Sequence, residues 1–201
     1  FASGAPGANG LAFDLDGNLW TGDGVTGRGR VWRITGAGAN CNPSALSNCQ
    51  EVFRIQPMRN GTDLGGDISV VPTANQPTQG VGRSANTFPH TAAGGNPQDL
   101  VANGVAFDPT GRRLFVADTA RGAIWRVELE QNGSLESQTN CDTTFTANTL
   151  CLNNENLFVV HPLLDGADGI ALDINGNIWV DANERNAVVF VSPNGQLFEV
   201  F

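Results

Sequence analysis

The segment A-N-G-V-A-F-D-P-T-G-R-R-L-F-V, Ala102 to Val116, decides the fold because it is one of three copies. Ala8 to Thr21 reads A-N-G-L-A-F-D-L-D-G-N-L-W-T, and Ala167 to Val180 reads A-D-G-I-A-L-D-I-N-G-N-I-W-V. Apolar residues alternate at period two in each copy: Leu11 and Phe13, Val105 and Phe107, Ile170 and Leu172. Period two is the pattern of a half-buried strand. A D-x-x-G turn follows (Asp14–Gly17, Asp108–Gly111, Asp173–Gly176), its glycine available for positive φ. The return strand opens on Leu19-Trp20, Leu114-Phe115 or Ile178-Trp179.

Working outward, each copy is followed by two more strands. They are Val31–Ile34 and Val52–Ile55, then Ile124–Val127 and Leu157–Val160, then Ala187–Val191 and Leu197–Val200. Repeated four-strand antiparallel units with glycine and aromatic markers spell an all-β β-propeller, one unit per blade. The blades cover about 8–55, 102–160 and 167–201. Residues 56–101 lack the aromatic markers and read as a long insertion placed to lie over the channel face. Three blades do not close a ring. The expectation is therefore a longer protein, with remaining blades from the same chain or from an assembly partner. Trp20, Trp32, Trp125 and Trp179 read as packing between blades.

The chain has 201 residues and a formal charge of −9, and its 11 basic residues are all Arg. That balance speaks against nucleic acid and anionic membranes as partners. No apolar run is long enough to span a membrane. Cys41 and Cys49 lie between strands three and four of the first blade, and Cys141 and Cys151 hold the same place in the second. Equivalent placement favours the disulfides 41–49 and 141–151, and neither pair has the C-x-x-C spacing of a thiolate metal site. With the sequons at Asn60 and Asn132, the even cysteine count points to a secreted or otherwise extracytoplasmic protein.

Aligning the copies puts Asn9, Asn103 and Asp168 at one repeat position, where each inner strand begins beside the channel. Two amide oxygens and a carboxylate are hard donors suited to Ca²⁺ or another divalent cation. Asp23, Asp118 and Asp181 follow the second strands and are candidates to support those ligands or to cap turns. His90 and His161 are weaker candidates for an acid or base near the same rim.

These three copies resemble the gluconolactonase, regucalcin (senescence marker protein) and diisopropylfluorophosphatase group of six-bladed propellers. The resemblance covers about two-thirds of the chain. It implies that Asn9, Asn103 and Asp168 hold a divalent cation or position substrate, with Asp168 also acting in catalysis. It implies hydrolysis of a small-molecule lactone or related ester. The family's further Glu ligand has no match here, so the enzyme reading requires that Glu from the rest of the protein. The alternative is a non-catalytic extracellular propeller acting as a binding or assembly module.

Overall fold

A computed structural model describes residues 2–5, 7–23, 29–42, 44–55, 102–119, 121–138, 150 and 156–201, and the backbone of 91–92 and 96–97. The strands, in chain order, are β1 (Ala2–Ser3), β2 (Ala8–Phe13), β3 (Leu19–Asp23), β4 (Arg30–Ile34), β5 (Ala39–Asn40), β6 (Cys49–Arg54), β7 (Thr91–Ala92), β8 (Asn96–Pro97), β9 (Ala102–Phe107), β10 (Arg113–Asp118), β11 (Ala123–Glu128), β12 (Leu157–Val160), β13 (Ala167–Leu172), β14 (Ile178–Ala182), β15 (Ala187–Val191) and β16 (Leu197–Glu199). Three four-stranded antiparallel sheets result, ordered β2-β3-β4-β6, β9-β10-β11-β12 and β13-β14-β15-β16. These are the three expected propeller blades. Cys141, Cys151, Asn60, His90 and most of the stretch 56–101 lie outside the described residues.

The D-x-x-G turns close each inner hairpin through side chain as well as backbone. Gly17, Gly111 and Gly176 have φ of +80°, +69° and +78°. Asp14 Oδ1 accepts from the backbone N–H of Asp16 and of Asn18, and Asp173 Oδ1 does so from Asn175 and Asn177. Asp108 Oδ1 accepts from the Arg113 N–H. Burial opposes ionisation of Asp14, but hydrogen bonds from Trp20 and Asn18 and the Arg33 charge outweigh it and hold the carboxyl below its usual range.

Blades pack through a directional pair of faces. Trp20 of β3 meets Phe107 of β9 edge to face, with centroids 5.4 Å apart. One apolar core joins Trp20, Val31 and Phe53 to Val105, Val116 and Trp125. A second joins Phe115, Ala117 and Ile124 to Ile178, Val180 and Val189. The outer part of the first blade is covered differently. Trp32 and Ile34 are buried under Ala39, Cys41 and Cys49, and the Cys41–Cys49 disulfide closes that loop as expected.

At the centre, the inner strands approach through glycine. A Cβ on Gly10 or Gly22 would lie 2.6 Å or 2.2 Å from a carbonyl oxygen of the Ala102-Asn103 segment. A Cβ on Gly104 would lie 2.1 Å from the Asp168 carbonyl oxygen. These distances are far below van der Waals contact, so backbone packs on backbone here and a side chain is excluded.

The tryptophan expectation needs two corrections. Trp20 and Trp125 are buried between the first and second blades, but Trp32 is buried within its own blade and Trp179 is 37% exposed. Trp179 holds the register place of Trp20 but lies on the outward face of the third blade, where it meets Phe190 of its own sheet edge to face. Phe198 on the third blade is 58% exposed. On the first blade Leu11 and Phe13 are 66% and 63% exposed.

The two kinds of glycine should separate experimentally. Gly17→Ala meets no atom within 4 Å and bears only the left-handed backbone penalty, about 1–2 kcal/mol. Gly104→Ala forces neighbouring inner strands apart and should cost at least about 3 kcal/mol, the upper end of overpacking. Urea unfolding of both variants would show it, and equal losses would contradict the close-approach account.

Candidate functional site

The aligned N-G, N-G and D-G dipeptides each form a β-bulge at the start of an inner strand. The register shifts between Asn9 and Leu11 on β2, opposite Val116–Asp118 on β9, and between Ala167 and Ile170 on β13. A bulge places two residues against one and re-aims a side chain. Facing the three bulges on the second strands stand Gly22, Ala117 and Asp181. Asp181 is thus one register place away from Asp23 and Asp118, and Ala182 holds their position. The three aspartates, equivalent by sequence pattern, are therefore not equivalent in register.

Asn103 and Asp168 come into direct contact. Asn103 is fully buried, and its amide donates to the Asp168 carboxylate. It also donates from Nδ2 to Thr119 Oγ1 at 2.9 Å. Its Oδ1 is buried with no hydrogen-bond partner. Buried polar atoms are nearly always satisfied, so this amide oxygen is available to a ligand. Asn9 is exposed, and its Oδ1 accepts from the backbone N–H of Gly10 at 3.1 Å. Strand β2 lies against β9 through Gly10, and β3 does so through Gly22, so Asn9 belongs to the same end of the inner strands.

Desolvation raises the Asp168 carboxyl above its usual range, and the nearby Asp181 charge raises it further. The hydrogen bond from Asn103 opposes both. Two carboxylates and an amide oxygen at one rim form a hard, electron-rich donor set, which fits a divalent cation. Among the described residues no three His, Cys, Asp or Glu side chains gather into a metal-binding group. Any such site therefore depends on the amide oxygens.

The other candidates have structural work. Asp23 pairs with Arg30 at 2.6 Å, and both are buried. Asp118 pairs with Arg121 at 2.7 Å, accepts from Trp125 Nε1 at 2.9 Å, and caps its turn by accepting from the Arg121 N–H at 3.1 Å. Complete burial pushes the Asp118 carboxyl up, against the Arg121 charge and the Trp125 hydrogen bond. These buried carboxylates tie turn to strand in their own blades. His161 caps a short 3-10 helix, Pro162–Leu164, through Nδ1. Asn132 is exposed, in a turn where its Oδ1 accepts from Ser134. A cleft of about 370 Å³ lined by Asp14, Trp20, Arg33 and Phe107 lies at the D-x-x-G end of the inner strands. That is the opposite end from Asn103 and Asp168, so volume and chemistry do not coincide, and the carboxylate–amide cluster is the better candidate.

Removing the like charge should make Asp168 easier to ionise. In Asp181→Asn, the carbon-13 titration of the Asp168 carboxyl should move to lower pH. An unmoved midpoint would separate the two carboxylates electrostatically.

The family model for the SMP-30/Gluconolactonase/LRE-like region matches residues 94–201, which include Asn103 and Asp168. No curated protein matches the chain. Among solved structures, virginiamycin B lyase from Staphylococcus aureus is similar at 12% identity and TM-score 0.47, over 96% of this chain and 40% of that one. Luciferin-regenerating enzyme is similar at 14% identity and TM-score 0.48, over 96% and 46%. A gluconolactonase from Xanthomonas campestris is similar at 18% identity and TM-score 0.36, over 96% and 61%. The chain spans about 40% of the length of the lyase it matches. With more than half of its residues under the family model, the chain belongs to the SMP-30/gluconolactonase/LRE-like family.

Proposed function

We propose that this protein is a divalent-cation-dependent hydrolase of a lactone or related ester, with Ca²⁺ as the cation. The observation that carries the reading is the orphaned Asn103 Oδ1 beside the Asp168 carboxylate, inside the segment that the family model matches. Asn103 Oδ1 and Asp168 would hold the cation, with Asn9 contributing from the neighbouring strand. A bound divalent cation supplies Lewis-acid polarisation of the ester carbonyl and stabilisation of the oxyanion.

Asp168 has a further role open to it. A carboxylate whose affinity for protons is raised is a better base than a solvated one. It accepts the proton of an attacking water at a carboxylate oxygen while Asn103 donates to the same group and keeps it oriented. Asp181 adds negative potential at the rim, favouring a cation there. An acidic, Lys-free chain suits neither nucleic acid nor anionic membrane. No helix among the described residues is long and apolar enough to cross a membrane. The Cys41–Cys49 disulfide supports an extracytoplasmic setting, and the exposed Asn132 is the described candidate for a glycan.

A second reading is a non-catalytic binding or assembly module. The exposed apolar residues Leu11 and Phe13 on the first blade, and Trp179 and Phe198 on the third, favour it. They are faces against which further blades or a partner would pack.

Asp168→Asn keeps the shape and removes a full charge. It should weaken Ca²⁺ binding at least tenfold, about 1.4 kcal/mol, and lower lactone hydrolysis with it. Asn9→Ala and Asn103→Ala should each do less, because each removes a neutral donor. Calorimetric titration with Ca²⁺ alongside a lactone-hydrolysis assay tests this. Unchanged affinity in Asp168→Asn would move the assignment to the binding module.

A further inference from the structure

Thr119 is buried where the second blade meets the third, and its hydroxyl makes two hydrogen bonds. Oγ1 donates to the Ala167 carbonyl oxygen at 2.6 Å and accepts from Asn103 Nδ2 at 2.9 Å. A threonine hydroxyl has one proton. The Ala167 carbonyl can only accept, so that proton is committed across the blade boundary. What faces the hydroxyl from Asn103 must then be a donor. This settles which way the amide points: Nδ2 turns toward Thr119 and Oδ1 is turned away from it.

The Asn103 side chain also favours the ionised Asp168 carboxylate, which can only accept. The amide's own carbonyl oxygen is buried with no hydrogen-bond partner. The cost of an unsatisfied buried oxygen is borne by the fold. Among the described residues of the first blade the arrangement differs. Thr21 Oγ1 there donates to the Asn9 backbone carbonyl, while the Asn9 side chain is exposed and turns onto its own Gly10.

We infer that Thr119 is a positioning residue, holding the Asn103 amide so that Oδ1 stays available as a neutral oxygen ligand beside Asp168. The inference rests on the cation-site reading proposed above. Without the Thr119 hydroxyl, Asn103 can turn over and present Nδ2, a donor that repels a cation. Groups that orient metal ligands from behind are worth roughly 10–100-fold in affinity.

The test uses Ca²⁺ as the probe and reads both the calorimetric affinity and the Ca²⁺-induced rise in Tm. Thr119→Val should weaken Ca²⁺ binding roughly 10–100-fold and lose most of that rise. Thr119→Ser, which keeps the hydroxyl, should bind within about threefold of the parent, well short of that loss. A purely structural Thr119 would lower the Ca²⁺-free Tm and leave the increment intact, and that result overturns the inference. Should Thr119→Val not fold, Thr119→Ala removes the same hydroxyl without a methyl to place, and the same readings apply. Asn103→Ala and Asp168→Asn are measured in parallel. If both keep the parent's Ca²⁺ response, the cation site itself is wrong. If they lose it and the hydroxyl-free Thr119 variant does not, only the positioning role falls.

Discussion

Backbone-on-backbone packing at the centre of the molecule is the constraint on which the rest depends. Gly10 and Gly22 admit the Ala102-Asn103 segment, and Gly104 admits Asp168. A Cβ at any of these places would push neighbouring inner strands apart. The same close approach lets the Asn103 amide, on β9, touch the Asp168 carboxylate, on β13. Packing and site therefore share one cause. At Asn9-Gly10 and Asn103-Gly104 the glycine beside the asparagine makes room for the next inner strand. The bulge at each dipeptide turns the two residues to different tasks.

Electrostatics at the rim follow from that geometry. Asp168 is partly desolvated and stands near Asp181, so its ionised form is less favoured than in water. A cation reverses that balance by attracting both charges. Asp118, buried more deeply, finds its compensation inside the protein, in Arg121 and Trp125. Two carboxylates with raised proton affinity thus have opposite standing. One has its partner built into its blade, and the other faces a rim where a partner can arrive.

Much of the architecture was legible in the sequence because period-two alternation and a capped turn are local signals. The repeat alignment put Asn103 and Asp168 at one repeat position, which the structure sets on the adjacent inner strands β9 and β13, and matched loop placement found Cys41 with Cys49. Three features were not legible, each for a physical reason. Thr119 acts on Ala167, 48 residues away across a blade boundary, and no spacing rule encodes that contact. Asp181 looked equivalent to Asp23 and Asp118 because all three close a second strand. Only the paired register shows that it faces the bulge one place earlier. Trp179 carries the same local pattern as Trp20, but burial depends on a neighbouring sheet, which a repeat unit cannot specify by itself.

The meander order of the sheets has a consequence for how the chain reaches this state. In every blade each strand hydrogen-bonds to the blade strand before it in sequence, so the inner hairpins close over short loops, while β4 and β6 join across residues 35–48 and β11 and β12 across residues 129–156. Such local contacts form quickly and at small entropic cost. The contacts between blades come from much greater separation, across the stretch 56–101 for the first pair. A chain emerging from the ribosome can therefore complete one sheet before the next exists. Docking at the glycines is then a later, slower event, in which sheets already formed find one another.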